Sequence, residues 1–400
     1  MRRADKKWIL LVGLLSLCMG LSLCLGGCGG DGGSSDGAAG GDAAGAGDPA
    51  AMEPVSRDFF AMDTYMTVTA YGEKAAEATE AAEAEVNRLD AMLSTGNKDS
   101  EIAKVNAGAG EGGEAGEGGG TDEAGGGELS EEAGALVEKG LALYEETGRK
   151  FDIAIYPIME AWGFTDKNYR VPKEAELEGL LPLTDASKVH YDANKHLVSF
   201  DEDGMAIDLG GIAKGYTSSR IMEIYKEHGV ESGLVSLGGN VQVLGTKPDG
   251  SKWRVAVQDP GTGSADDTAD GDEAAANEAA AQAQYLGVLE AADTAVITSG
   301  AYERNFTQDG VLYHHIIDPA TGRPADSGLK SVTIVSSDGT LADALSTSLY
   351  IMGKDDALDY WRSHQDEFDC ILMDDAGELY VTEPIADQFS SEDYHVNVVK

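Results

Sequence analysis

Three runs built almost wholly from Gly, Ala, Asp, Glu and Ser set the first limit on what this chain can fold into. They are "GGDGGSSDGAAGGDAAGAGDPAAMEP" from Gly29 to Pro54, "AGAGEGGEAGEGGGTDEAGGGE" at 107–128 and "GTGSADDTADGDEAAANEAAAQAQ" at 261–284. Runs with so few large apolar side chains bury too little surface to offset the entropy of ordering them. The first is expected to be a flexible tether. The other two are expected as surface-loop insertions, which a domain tolerates because closure entropy grows slowly with loop length; the second is Ala-rich enough for partial helix. A hydrophobic core must therefore come from the segments between them, within one domain spanning 55–400.

The residues before the tether read as a targeting signal. "MRRADKK" is a basic n-region, "WILLVGLLSLCMGLSLCLGGC" carries an apolar h-region, and Leu25-Gly26-Gly27-Cys28 has the form of a bacterial lipobox. On this reading residues 1–27 are removed and Cys28 carries acyl chains, several of which on one residue hold a protein stably at a membrane. The expected location is the extracytoplasmic face of the cell membrane. Of the four cysteines, Cys18 and Cys24 leave with the signal and Cys28 is acylated. Only Cys370 remains, in "CILM", where it is expected as packing in a buried strand. An ordinary core, not a disulfide framework, must do the stabilising. The formal charge of −42, from 71 acidic and 29 basic residues, disfavours a nucleic-acid partner, which needs a basic surface.

Between the low-complexity runs the pattern is mixed. "TYMTVTAYG" alternates as a strand, and a helix is expected from Glu73 to Leu93. Ser130, with Glu131 and Glu132 behind it and Gly148 at the far end, brackets a second helix. "HLVSFDEDGMAIDLGG" reads as strand, turn and second strand, followed by a helix from Ile212 to His228 closed by Gly229. "LVSLGGNVQVLG", "KWRVAVQDP", "TAVITSG", "GVLYHHIID" and "KSVTIVSS" supply further strands. Strands come in hairpin-like runs without strict alternation with helices, which favours an α+β fold of mixed, largely antiparallel sheets packed with helices.

Several stretches can carry chemistry. In "AIDLGGIAKGY" (206–216) two glycines stand between strand and helix, with Lys214 in the first turns. Helix N-terminal N–H groups bind anions, yet the spacing matches neither the dinucleotide fingerprint nor the P-loop. Gly238-Gly239-Asn240 is a hairpin signal that also permits close backbone approach to a ligand. His314 and His315 in "HHIIDPATGRP" face opposite ways on a strand, so one of them can meet a cleft. "KFDIAIYPIMEAWGF" sets Asp152 among aromatic residues that suit a core or a planar heterocycle. In "SSDGTLADALSTSLYIMG", Asp343 and Thr347 lie four apart on one helix face. A local explanation is open there, with Thr340 as N-cap, Asp343 at N3 and Thr347 bonding back to a carbonyl.

Taken in order, "FDIAIYPIMEAWGF", "IDLGGIAKGY", "SLGGNVQVLG" with "WRVAVQDP", "ITSGAYERNF", "HHIIDPATGRP" and "ADALSTSLYIMG" resemble the FAD:protein FMN transferase family, formerly described as thiamine-biosynthesis lipoproteins. The resemblance implies a single flavin-transferase-type catalytic domain. It implies Mg²⁺-dependent transfer of FMN from FAD to a Ser or Thr hydroxyl of a partner protein, with release of AMP. The partners it implies are subunits of membrane redox pumps or electron-transport complexes. Some relatives mainly hydrolyse FAD, and a flavin-binding lipoprotein without chemistry is a further alternative. By the same resemblance Asp343, Thr347 and the Gly211 carbonyl hold the metal. Met62, Asp152, Asp208, Lys214, His315 and Ile316 lie along the cofactor, and Asp343 or His315 accepts the proton of the attacking hydroxyl. Three departures stand out: Asp63 where the family has glycine in "MGT", Ser94-Thr95-Gly96 in place of "STY", and Tyr156 at another common glycine position.

Overall fold

The computed structural model describes residues 53–108, 125–261 and 284–400. The signal, Cys28, nearly all of the tether and most of both insertions lie outside the described residues. So does the expected partial helix within the second insertion.

Nine strands form the main sheet, and their order across it follows their order along the chain: Val55–Ala61, Thr64–Tyr71, Ser232–Leu237, Asn240–Leu244, Thr294–Gly300, Leu329–Ser336, Asp369–Asp374, Leu379–Thr382, Val396–Val399. All neighbours pair antiparallel except the last two, which run parallel. This is the largely antiparallel α+β arrangement expected from the hairpin-like runs.

Both faces of the central strands are covered. Ala295 and Ile297 enter one core with Cys370 and Leu372, while Val296, Ile371 and Met373 enter another on the opposite face. Period-two alternation therefore appears as a near-continuous apolar run, as burial on two sides requires. Helices Ala75–Leu93, Gly210–Glu227 and Gly339–Met352 pack along the first face. A three-stranded sheet of Trp253–Gln258, Tyr285–Ala291 and Phe389–Ser390 covers the other. Cys370 is buried and free, as packing predicts, and burial pushes its thiol pKa well up.

Local signals hold where the chemistry is local. Ser130 caps helix Glu131–Glu146 by accepting from the Ala133 N–H at 3.2 Å. Gly238 and Gly239, with φ of 58° and 88°, make the tight turn between Ser232–Leu237 and Asn240–Leu244.

Four expectations change. Met205–Leu209 is not a second strand: the Ile207 N–H and C=O are both satisfied by the Asn106 amide at 2.8 Å, and the Asp208 N–H by the Ile153 carbonyl at 2.7 Å, so no neighbouring strand is needed. Gly126–Glu128, at the end of the first low-complexity run, is a short strand paired with Leu197–Phe200. There a Cβ on Gly126 would lie 2.1 Å from the Val198 carbonyl oxygen, so glycine is what lets this edge close. "GVLYHHIID" breaks into Val311–His314 and Ile317–Asp318. The cap of helix Gly339–Met352 is Asp338, which accepts from Thr340 and Leu341 at 2.9 and 3.1 Å, not Thr340.

The helices Gly210–Glu227 and Gly339–Met352 cross at Gly215 and Gly339. A Cβ on Gly215 would stand 2.1 Å from the Gly339 carbonyl oxygen and 2.6 Å from the Asp343 Cβ. Gly215→Ala is expected to lower unfolding free energy by about 3 kcal/mol, a fall of roughly 6–12 °C in melting temperature. Gly179→Ala, in helix Glu174–Leu180 with open space around the site, is the matched control and is expected to be neutral or slightly stabilising. Equal melting temperatures for the two variants would remove the crossing as a constraint.

Candidate active site

The cavity that matters here opens where the helix crossing meets the ends of strands Asn240–Leu244 and Thr294–Gly300. It spans about 1000 Å³ counted with the open solvent at its mouth. Asp343 and Thr347 project into it from one helix, and Gly211 and Lys214 from the start of the other.

Asp343 is held by two donors, the Gly215 N–H to Oδ2 at 2.8 Å and the Asn240 amide to Oδ1 at 2.9 Å. Regular helix geometry assigns the Gly215 N–H to the Gly211 carbonyl, so that oxygen shares its helical donor with a carboxylate and keeps accepting capacity toward the cavity. Burial raises the Asp343 pKa, opposed by the charge of Lys214 and by its two donors. Ser346 and Ser348 bond back to the Asp343 and Ala344 carbonyls at 2.7 and 2.8 Å. Thr347 instead meets Ser299 Oγ at 3.4 Å, on the cavity side. The purely local account of the Asp343–Thr347 pair therefore gives way to a tertiary one.

These donors suit a hard cation. One carboxylate, one hydroxyl and one carbonyl are all oxygen ligands, and a set this small leaves positions for water and phosphate oxygens, as Mg²⁺ prefers. Among the described residues no three His, Cys, Asp or Glu side chains cluster as a denser metal site.

Positive charge gathers at the same cavity. Lys150, Lys214 and Arg304 all line it, beside the acidic Asp152, Asp208, Glu303 and Asp343, in a chain whose net charge is −42. Arg304 is fixed by donating to the Phe164 carbonyl at 2.6 Å, and Lys150 lies 3.8 Å from Asp318. Asp208 accepts from the Gly210 N–H at 2.7 Å at the start of the helix, and burial raises its pKa.

His315 and His314 diverge as expected. The His314 ring meets the Ala325 carbonyl at 3.1 Å and packs edge-on to Tyr350, inside the core. His315 faces the cavity, its Nδ1 3.2 Å from the Arg304 carbonyl. A carbonyl only accepts, so Nδ1 carries the proton and Nε2 presents a lone pair. Burial first, then the charges of Arg304, His314 and Lys214, holds the His315 pKa well below the usual histidine range. Ile316 lies beside it, buried, in the same lining.

Two predicted residues stand differently. Asp152 lines the cavity but caps a 3₁₀ turn, accepting from Ala154 at 2.7 Å. Met62 is not part of the lining: its N–H donates to Asp90 at 3.2 Å and its sulfur accepts from the Thr217 hydroxyl at 3.9 Å. The next residue, Asp63, has φ of 60°, which explains why glycine suits this position and why Asp tolerates it. Tyr156 and Thr95 share a separate recess with Asn106, Glu160 and Met205. Sequence reasoning missed Asn240 as a partner of Asp343, and missed Arg304, Lys150 and Ser299. The signal for Asn240 was a carboxamide directly after a glycine turn, too common to stand alone.

The chain matches the ApbE family model over residues 62–372. It is 33% identical to the FAD:protein FMN transferase of Treponema pallidum over 322 residues, 76% of this chain and 80% of that protein. It is 32% identical to the Klebsiella pneumoniae FAD:protein FMN transferase over 250 residues, 62% of this chain and 71% of that protein. The crystal structure of the Thermotoga maritima ApbE protein is similar with a TM-score of 0.70 and 30% identity, covering 84% of this chain and 99% of that one. The Vibrio cholerae flavin transferase ApbE shares the fold with a TM-score of 0.68 at 24% identity, with the same coverages.

Asp152 provides a test of the cavity wall. Burial raises its pKa to about 7, so the folded state favours the protonated carboxyl. That contribution is complete below the ordinary carboxylate pKa and is lost as pH rises toward 7. Wild type is therefore expected to lose melting temperature relative to Asp152→Asn between about pH 4 and about pH 7, with a constant gap above. Parallel melting curves across that window would show that Asp152 is not held protonated.

Proposed function

Because the chain belongs to the ApbE family, we propose that it transfers the FMN half of FAD to a Ser or Thr hydroxyl of a partner protein. A phosphoester forms at the FMN phosphorus, the bond to the AMP oxygen breaks, and AMP leaves. The observation that carries this reading is the Asp343 carboxylate, buried between the Gly215 N–H and the Asn240 amide beside Thr347 and Gly211. Asp343, Thr347 and the Gly211 carbonyl would hold Mg²⁺, which when bound neutralises diphosphate charge and stabilises the departing oxygen.

The chain's own residues supply the rest. Lys214, Arg304 and Lys150 draw the diphosphate into the cavity by charge. His315 would accept the proton of the incoming hydroxyl, since its Nδ1–H is directed at the Arg304 carbonyl and leaves Nε2 to accept. Asp343 is spoken for by its two donors and by the metal role. Asp208 and Ile316 line the same cavity and would lie along the cofactor. The expected acceptors are subunits of membrane redox pumps or electron-transport complexes, reached from the extracytoplasmic face by a lipid anchor at Cys28.

Incubation of purified protein with FAD, Mg²⁺ and a candidate redox-pump subunit is expected to give a fluorescent subunit band in a denaturing gel. Free FMN and AMP without a labelled subunit would make the chain a hydrolase, and unchanged FAD a binder. Asp343→Asn, which keeps the side-chain shape, is expected to cut transfer at least about 100-fold. His315→Ala is expected to cut it roughly 100- to 10,000-fold with FAD affinity retained. Wild-type rates in either variant would remove that residue from the mechanism. In the native host, Cys28→Ala is expected to move the protein from the membrane to the soluble fraction; continued membrane association would rule out the anchor.

A further inference from the structure

Strand Thr294–Gly300 turns Ala295, Ile297 and Ser299 to the face that helix Gly339–Met352 covers. The first two are apolar and enclosed in the core. The third is a buried serine, placed where the strand reaches the cavity. A buried hydroxyl is costly unless its bonds are made, and here each proton has a definite destination.

Ser346 Oγ lies 2.7 Å from the Asp343 carbonyl oxygen, and a carbonyl only accepts, so the one Ser346 proton goes there. Ser346 Oγ also lies 2.7 Å from Ser299 Oγ, and with its own proton spent it accepts from Ser299. Ser299 then has no proton for Thr347 Oγ1 at 3.4 Å, so Thr347 donates. Three hydroxyls thus run one way, from Thr347 through Ser299 and Ser346 to the main chain of Asp343. A helical threonine ordinarily returns its proton to the carbonyl four residues back. For Thr347 that is Asp343, whose carbonyl takes the Thr347 N–H by helix geometry and the Ser346 hydroxyl, which fills both lone pairs. The Thr347 proton is therefore turned off its own helix and onto the strand. Thr347 is also the one residue of 341–350 that is not buried, and its oxygen lone pairs are left for the cavity it lines.

We propose that Ser299 is a positioning residue for Thr347: by taking the Thr347 proton it fixes the hydroxyl so that the oxygen offers lone pairs, not a proton, to a divalent cation. The inference rests on the reading of Asp343, Thr347 and the Gly211 carbonyl as the metal ligands. Ser346 and Ser348 satisfy themselves on carbonyls of their own helix, whereas the bonds of Ser299 run to a different element, onto Ser346 and Thr347. Partners that orient a ligand in this way set metal affinity by about 10- to 100-fold.

The test titrates Mn²⁺ alone, which takes the same oxygen ligands as Mg²⁺, into the full protein without FAD and reads the free Mn²⁺ by electron paramagnetic resonance. Ser299→Ala is expected to raise the Kd for Mn²⁺ about tenfold, and Ser299→Thr, which keeps the hydroxyl, to stay within about twofold of wild type. Ser346→Ala breaks the relay at its middle and reopens the Asp343 carbonyl to Thr347, so it should weaken binding in the same direction. Ser348→Ala removes an equally buried hydroxyl of the same helix, bonded to the Ala344 carbonyl at 2.8 Å, and is expected to leave the Kd unchanged. An unchanged Kd in Ser299→Ala and Ser346→Ala overturns the proposal. So does an equal loss in Ser348→Ala or in Ser299→Thr, since packing would then be the cause. Failure of the cavity reading looks different: Asp343→Asn would bind Mn²⁺ as tightly as wild type, or wild type would not bind it.

Discussion

The contact on which the site depends is a backbone-to-backbone crossing of two helices whose glycines are far apart in the chain. With Gly215 against the Gly339 carbonyl, the two helices approach closely enough for an N–H of one to reach a carboxylate of the other. Burying a carboxylate costs several kcal/mol unless donors and charge compensate. Here the compensation comes from Gly215, Asn240 and Lys214, which belong to three separate parts of the sequence. Once that carboxylate is fixed, Thr347 one turn on and the Gly211 carbonyl one turn back on the partner helix share a single cavity.

The electrostatics of the cavity couple two tasks. A chain with a large negative charge would repel a diphosphate, and Lys150, Lys214 and Arg304 set positive charge among the carboxylates of the cavity wall. Arg304 and Lys214 also stand among the causes that keep His315 from protonating. The charges that suit an anionic substrate thus hold a nearby imidazole in its basic form, while the Arg304 carbonyl fixes which nitrogen carries the proton. One residue serves both ends, through its guanidinium and its main chain.

Much of the architecture was legible because its causes are local. Ser130 with its acidic first turn, the glycine turn at 238–239 and the alternation of strands each follow from neighbours along the chain. Met205–Leu209 was misread as a strand because the sequence does not show that an asparagine a hundred residues earlier would satisfy its backbone. The cap at Asp338 was missed in favour of Thr340 because both residues are competent caps and the entry angle of the chain chooses between them. Asp152, placed by resemblance beside the cofactor, proves to spend one oxygen on a local cap while facing the same cavity.

By itself the sequence determined the hairpin-like runs of strands, the glycine turn at 238–239 and the residue types available for chemistry. It also brought Asp343 and Thr347 to one face of a helix, since that needs only a spacing of four. Tertiary structure decided that this helix is enclosed with Asp343 against Gly215, which of two adjacent histidines entered the cavity, and that Met62 packed on Thr217 outside the lining. Spacing along a chain sets local geometry. The distance between segments more than a hundred residues apart is set by the packing of side-chain volumes, and at this site by two residues that have none.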